Sequence, residues 1–241
     1  MLIFWRLILG HFLADFTFQS NKMNDWKRSS RMGLIAHSLM HPICFIILTY
    51  PYLWDTWVEV GGFALNGAAA IILITVFHYL EDEWRVFTIK RFGTPDNTIY
   101  MLWDQFIHGV AIFLFSSALI AKTGIWIPEK WPIVITLGVI STHFSVVIMY
   151  FIEKDLYGSE FPGDFEKHVA IVERGLAFAS LALIPNAILA FVVALASLFV
   201  VRLGFSFKKP SKRLSRFSWI WGSVLALLCA LGARLLLSGG F

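Results

Sequence analysis

The chain is 241 residues long, 58% hydrophobic and 15% charged, with a formal net charge of +4 and a mean hydropathy of +0.71. A soluble domain runs about half apolar and about a quarter charged, so this composition excludes an ordinary soluble enzyme and points to a polytopic membrane protein. The positive balance does not indicate nucleic acid, because the lysines and arginines sit in short clusters between apolar runs, where the positive-inside bias puts them.

Apolar runs long enough to cross, or nearly cross, a bilayer occupy 2–19, 33–51, 62–84, 99–121, 132–152, 169–203 and 217–237. The first lacks a basic leader and a small-residue cleavage site, so it reads as a retained span, not a signal peptide. A basic connection follows with Lys22, Lys27, Arg28 and Arg31, then an acidic one from Asp55 to Glu59, flanked by Trp54 and Trp57 as aromatic-belt residues. The next turn carries Arg85, Lys90 and Arg91, and Glu153 to His168 is mixed in charge. The last connection holds Arg202, Lys208, Lys209, Lys212, Arg213 and Arg216. Basic loops stay cytoplasmic, which puts the N-terminus outside and runs the first span inward. The stretch 169–203 exceeds one ordinary span at 1.5 Å per residue and is expected to be a hairpin turning at Pro185–Asn186, where proline breaks the hydrogen-bond ladder.

The expected fold is therefore all-α, a polytopic transmembrane bundle of about eight crossings in the cell inner (cytoplasmic) membrane. It is read as one membrane domain, with a site-bearing four-helix half over 1–121 and supporting helices over 122–241. Cys44 and Cys229 fall within apolar runs without CxxC spacing, so neither a disulfide framework nor a thiolate zinc site is indicated.

Each of the first four runs carries two metal-type side chains four residues apart: His11 and Asp15, His37 and His41, His78 and Asp82, Asp104 and His108. On a helix, positions i and i+4 share a face about 6 Å apart along the axis. The order flips in step with helix direction. All four pairs then fall in the cytoplasmic half, with His11, His41, His78 and His108 deeper in the membrane. Asp15, His37, Asp82 and Asp104 lie nearer the cytoplasm. Four antiparallel helices thus present an imidazole layer one turn from a carboxylate-rich layer. Chance supplies about one such pair in a chain of this make-up, and a fifth, Asp164 and His168, lies in a polar loop where a solvated face explains it. Histidine–aspartate hydrogen bonding between helices is the plainer explanation of the other four. Ionisable groups inside hydrocarbon are tolerated chiefly for function, which favours a site.

Neutral imidazole and carboxylate suit zinc first, with iron or manganese as alternatives, and the lack of thiolates argues against copper(I). The ligand set holds either one ion, with carboxylates orienting the histidines, or two ions about 3.5–4 Å apart. Asp15 or Asp82 is the candidate general base toward an ion-activated water. Gln19 and Gln105 are candidates to orient a ligand or a substrate, and Arg85 to pair with Asp82 or an anionic headgroup. Glu81 and Glu83 are read as lying on other helix faces. His143 reads as a satisfied core histidine, and Glu173 with Arg174 as an ion pair at the start of the hairpin.

The run HFLADFTFQS, then His37, then HYLEDEWR and WDQFIHG resembles a family of small prokaryotic integral-membrane proteins classed as a domain of unknown function. Its pattern is H-x3-D-x3-Q, a single His, H-x3-D and D-Q-x2-H. The matching positions are His11, Asp15, Gln19, His37, His78, Asp82, Asp104, Gln105 and His108, and His41 departs from the pattern. Glu173 to Arg202 also resembles that family's C-terminal part. The resemblance implies no activity. A looser similarity, in kind, is to inner-membrane metal-dependent hydrolases with histidines on transmembrane helices.

The function expected on these grounds is metal-dependent hydrolysis of a lipid-linked or phosphoester substrate at the cytoplasmic leaflet. Basic loops would attract anionic lipid headgroups there. The rival expectation is a carrier for a divalent cation or protons, and a third is a structural subunit of a membrane complex. Spans two to four are almost wholly apolar in their outer halves, which favours a one-sided pocket over a transit path.

Overall fold

The computed structural model describes residues 2–116, 127–208 and 215–239. The end of the fourth apolar run (117–121) and the basic residues Lys209, Lys212 and Arg213 lie outside them. The chain divides into two compact units, Met1–Pro132 and Ile133–Phe241, each built mainly of helices. Among the described residues, five helical stretches are long and apolar enough to cross a membrane: Arg31–Tyr52, Thr98–Phe115, Lys130–Tyr157, Ala187–Gly204 and Arg216–Leu237.

In the first unit, α1 (Leu2–Phe12) runs into a π turn at Leu13–Thr17. Ile3 and Leu7, one helical turn apart, are fully buried against Phe45, Ile71, Ile74 and Ile112 from the other helices. The polar connection Lys22–Arg31 is itself helical. Ser20 caps α2 (Asn21–Ser29) by accepting from the Met23 amide, and Ser30 ends it while capping α3 (Arg31–Ser38) through the Gly33 amide. Gly33 is required there, because a Cβ would collide with the Trp26 carbonyl. The second apolar run is broken at Leu39 between α3 and α4 (Met40–Thr49). Pro42 sits in the first turn of α4 and has no N–H to donate to the preceding turn, which a continuous helix would need.

The acidic connection does not form a simple loop. It folds as a two-stranded antiparallel hairpin, β1 (Thr56–Val60) and β2 (Phe63–Asn66), with Val60 opposite Phe63. Gly61 and Gly62 turn it at positive φ of 59° and 83°, the two-residue arrangement that glycine pairs favour. Trp54 is exposed, but Trp57, expected at the membrane surface, turns inward and donates its indole N–H to the Tyr52 carbonyl at 2.9 Å. The Trp57 ring lies where a side chain on Gly67 would project. Gly67→Ala is therefore expected to destabilise this unit by about 1–3 kcal/mol through overpacking, read as a lowered melting midpoint in detergent.

Asn66 caps α5 (Gly67–Phe92), which Gly93 terminates in the left-handed region. The helix continues well past the apolar run 62–84, through Arg85 to Phe92. Asn97 caps α6 (Thr98–Phe115).

The second unit contains α7 (Lys130–Val139), a second π turn at Ile140–Phe144, α8 (Ser145–Tyr157), α9 (Asp164–Leu183), α10 (Ala187–Lys208) and α11 (Arg216–Leu237). The run 169–203 is interrupted at Ile184–Asn186, and α9 packs on α10 through Ala177, Leu181, Ala190, Ala194 and Leu198. Small residues of this kind let apolar helices approach closely. Arg234 of α11 donates to the Leu181, Ile184 and Pro185 carbonyls, satisfying acceptors that the helix end leaves open. Glu173 and Arg174 are both fully buried. Arg174 reaches Ser145 of α8 and Ser218 of α11, while Arg202 of α10 lies 3.6 Å from Glu173. His143 is half-buried in the π turn, with Nδ1 3.0 Å from the Thr142 hydroxyl.

Candidate metal centre

The eight ligand-type side chains come from helix faces of the first unit. His11 is in the last turn of α1, and Asp15 lies in the π turn that follows, a distortion that recurs at functional sites. His37 and His41 stand on either side of the Leu39 break. His78 and Asp82 are on α5, Asp104 and His108 on α6. All eight are buried, none more than 8% exposed.

Four imidazoles form a closed ring, with centroid separations of 5.5 Å for His11–His41, 3.7 Å for His41–His78, 4.1 Å for His78–His108 and 5.2 Å for His108–His11. A small cavity adjoins this ring, and behind it lie Phe45, Ile74, Phe77, Ala111 and Ile112. Beyond the imidazoles the lining is wholly apolar.

Asp15 is the hub. Its Oδ1 lies 3.2 Å from His37 Nε2, 3.1 Å from His41 Nε2 and 3.8 Å from His78 Nε2. His37 and His78 Nε2 are 3.4 Å apart. A tetrahedral zinc shell with bonds of about 2.0–2.1 Å has ligand–ligand edges of about 3.3 Å; these four separations are near that value, and all four donors lie within 4.8 Å of one another. The donors are also poorly satisfied by one another. Asp15 Oδ1 and both His41 nitrogens are buried without a hydrogen-bond partner despite the short approaches. Buried polar groups are normally paired. The donor set and its orphaned atoms fit a divalent cation.

The remaining residues separate into partners and bystanders. Gln105 orients the cluster: its Oε1 is 3.1 Å from His11 Nε2, and its amide donates to Asp104 Oδ2 at 3.1 Å and to Asp15 Oδ2 at 3.4 Å. Gln19 turns away and donates to Asn24. Arg85 pairs with Asp96 at 3.1 Å and donates to the Tyr100 carbonyl, with Asp104 4.0 Å distant. Asp82 has instead been taken by Lys27, which donates to Oδ1 at 2.9 Å and lies 2.8 Å from Oδ2. Burial alone would depress the Lys27 ammonium, but Asp82, Asp15 and Asp104 outweigh it and hold the lysine above its ordinary value. Arg28 anchors the same short helix to Asp96.

Glu81 corrects the sequence reading. It does not face away, and its Oε2 is 3.3 Å from His108 Nε2. The i, i+3 spacing from His78 was the available signal. No comparable signal existed for Lys27, which reaches Asp82 across 55 residues of chain.

The family described as "Protein of unknown function (DUF3307)" matches residues 3–134, more than half of the chain. The chain belongs to that family. The matched segment contains all eight ligand-type residues, together with Lys27, Glu81, Arg85 and Gln105. No curated protein and no solved structure matches the chain significantly.

Proposed function

We propose that this protein is a membrane-embedded, metal-dependent hydrolase acting on a lipid-linked or other phosphoester substrate at the cytoplasmic leaflet. The observation that carries the metal reading is the grouping of Asp15, His37, His41 and His78, whose donor atoms all lie within 4.8 Å of one another, with Asp15 Oδ1 3.1–3.8 Å from three imidazole nitrogens. Zinc is the ion this set suits best, with iron or manganese next.

The membrane reading proposes eight crossings, with three added to the five long apolar stretches: α1 with its π turn, α5 and α9. Apolar side chains such as Ile43, Ile47, Ile72, Phe106 and Phe113 are exposed on the outside of the first unit, as lipid contact requires. The basic connections set the cytoplasmic side at α2 and at the end of α5. In this reading Lys27, Arg28 and Arg85, paired with Asp82 and Asp96, lie at the depth of the phosphate headgroups.

Bound at the cluster, a divalent ion would supply Lewis-acid polarisation of a phosphoryl oxygen and acidify an attacking water. Asp15 and Asp82 are the groups placed to accept that water's proton. Asp15 presents Oδ1 to three imidazoles, while Asp82 is held by Lys27 and lies 3.4 Å from both His37 and His78. Arg85 and Lys27 would hold the anionic substrate, and Gln105 keeps His11 and both neighbouring aspartates aligned. A carrier needs polar groups on both sides of the site, and the apolar lining behind the imidazole ring favours a one-sided pocket.

Elemental analysis of the purified protein should find bound zinc, iron or manganese at about one or more equivalents, lost in the His37→Ala/His78→Ala double variant. Proteoliposomes containing anionic phospholipid should release phosphate or headgroup only when the metal is present. Metal-dependent ion uptake without any hydrolysis would replace the enzyme with a carrier.

A further inference from the structure

Four overlapping groups of ligand atoms occur among the described residues; two of them, of four residues each, share no residue, and the three-residue groups His11–Asp15–His108 and His78–Asp82–His108 connect these two. Asp15, His37, His41 and His78 form one; Glu81, Asp82, Asp104 and His108 form the other, and in each the donor atoms lie within 4.8 Å of one another. The sets differ in chemistry. The first offers three imidazoles and one carboxylate, the second three carboxylates and one imidazole.

We propose that Glu81, Asp82, Asp104 and His108 make a second cation site, taking a hard divalent ion of the magnesium or manganese class beside the imidazole-rich centre. This inference rests on the metal reading above. Carboxylate-rich, oxygen-dominated donor sets select such ions, whereas imidazole-rich sets select zinc.

His108 points to a ligand independently of the acidic residues. It is 2% exposed, and neither ring nitrogen has a hydrogen-bond partner. Its Nε2 lies 3.3 Å from Glu81 Oε2 without a hydrogen bond between them, and that oxygen too lacks a partner. The charge balance leads the same way. Lys27 sits on Asp82, while Arg85 is committed to Asp96 and stands 4.0 Å from Asp104. Three acids at this spacing therefore have only partial compensation, and a divalent cation supplies the remainder. The two sets abut at Asp82, whose Oδ2 is 3.4 Å from the Nε2 atoms of both His37 and His78. Paired ions in such an arrangement clamp the attacking and leaving oxygens of a phosphoryl displacement.

Metal-depleted protein in detergent would be titrated with Co2+, followed by the visible absorption of tetrahedral cobalt, and with Mn2+, followed by loss of the free-ion EPR signal. The wild type is expected to bind one equivalent of each. Glu81→Gln should weaken Mn2+ at least about tenfold and leave the cobalt spectrum unchanged; Asp104→Asn should do the same. His41→Ala should abolish the cobalt spectrum and keep Mn2+ affinity near that of the wild type. Unchanged Mn2+ binding in both acidic-site variants, or joint loss of both ions in every variant, would overturn the second site and leave a single centre. Failure of the wild type to bind either ion would overturn the metal reading itself.

Discussion

Asparagine in place of Asp15 is expected to lower zinc affinity by about 100-fold or more while preserving helix content. Asp15 contributes the only negative charge in the imidazole-rich set, and its Oδ1 faces three ring nitrogens at once. Asparagine has the same shape and can still accept from the Gln105 amide, so hydrogen bonding between the helices would largely survive. The substitution thus separates an ion-binding role from helix cementing. Competition against a chromophoric chelator measures it. An affinity within threefold of the wild type, with a lowered melting temperature, would make the cluster structural.

Arg174→Met is expected to destabilise the second unit by about 3–5 kcal/mol, the largest effect on folding anticipated for any residue outside the metal cluster. The Arg174 guanidinium donates to Ser145 Oγ at 2.8 Å, to the Ser218 carbonyl at 2.6 Å and to Ser218 Oγ at 3.0 Å, joining α9 to both α8 and α11. Gly222 leaves the space for it, since a Cβ there would overlap the guanidinium. Methionine fills much of the volume but donates nothing. It leaves the buried Glu173, whose carboxylate oxygens already lack hydrogen bonds, with only Arg202 at 3.6 Å. Breaking one side of a buried charge network costs far more than the network contributes against an apolar replacement. Unfolding by denaturing detergent should show the loss, and a shift below 1 kcal/mol would mean that α9 is held by its alanine-lined packing alone.

Local periodicity carried much of this molecule. Spacing of four residues put His11, His78 and His108 each on one helix face with an aspartate, and that relation depends only on helix geometry. The hairpin break at Pro185–Asn186 was legible because proline removes a hydrogen bond wherever it stands. The β-hairpin was signalled as well, by Gly61–Gly62 between alternating residues, although the dominant apolar runs hid it. Trp57 shows the limit of composition. A tryptophan beside an acidic loop suits a membrane surface, yet this one is core because the hairpin folds it over Gly67.

By itself the sequence determined which side chains are chemical, which of them share a helix face, and where the chain is apolar enough to lie in lipid. Those properties follow from residue type and a 3.6-residue repeat, and need no knowledge of distant neighbours. The tertiary structure alone decided that Lys27 claims Asp82, that His108 is the partner Glu81 meets, that Arg85 prefers Asp96 and that Gln19 stays with Asn24. The Lys27–Asp82 and Glu81–His108 approaches depend on how helices far apart in the chain are brought alongside one another, and the Arg85–Asp96 and Gln19–Asn24 pairs on how the chain turns between elements. Periodicity within a single helix carries no information about that placement.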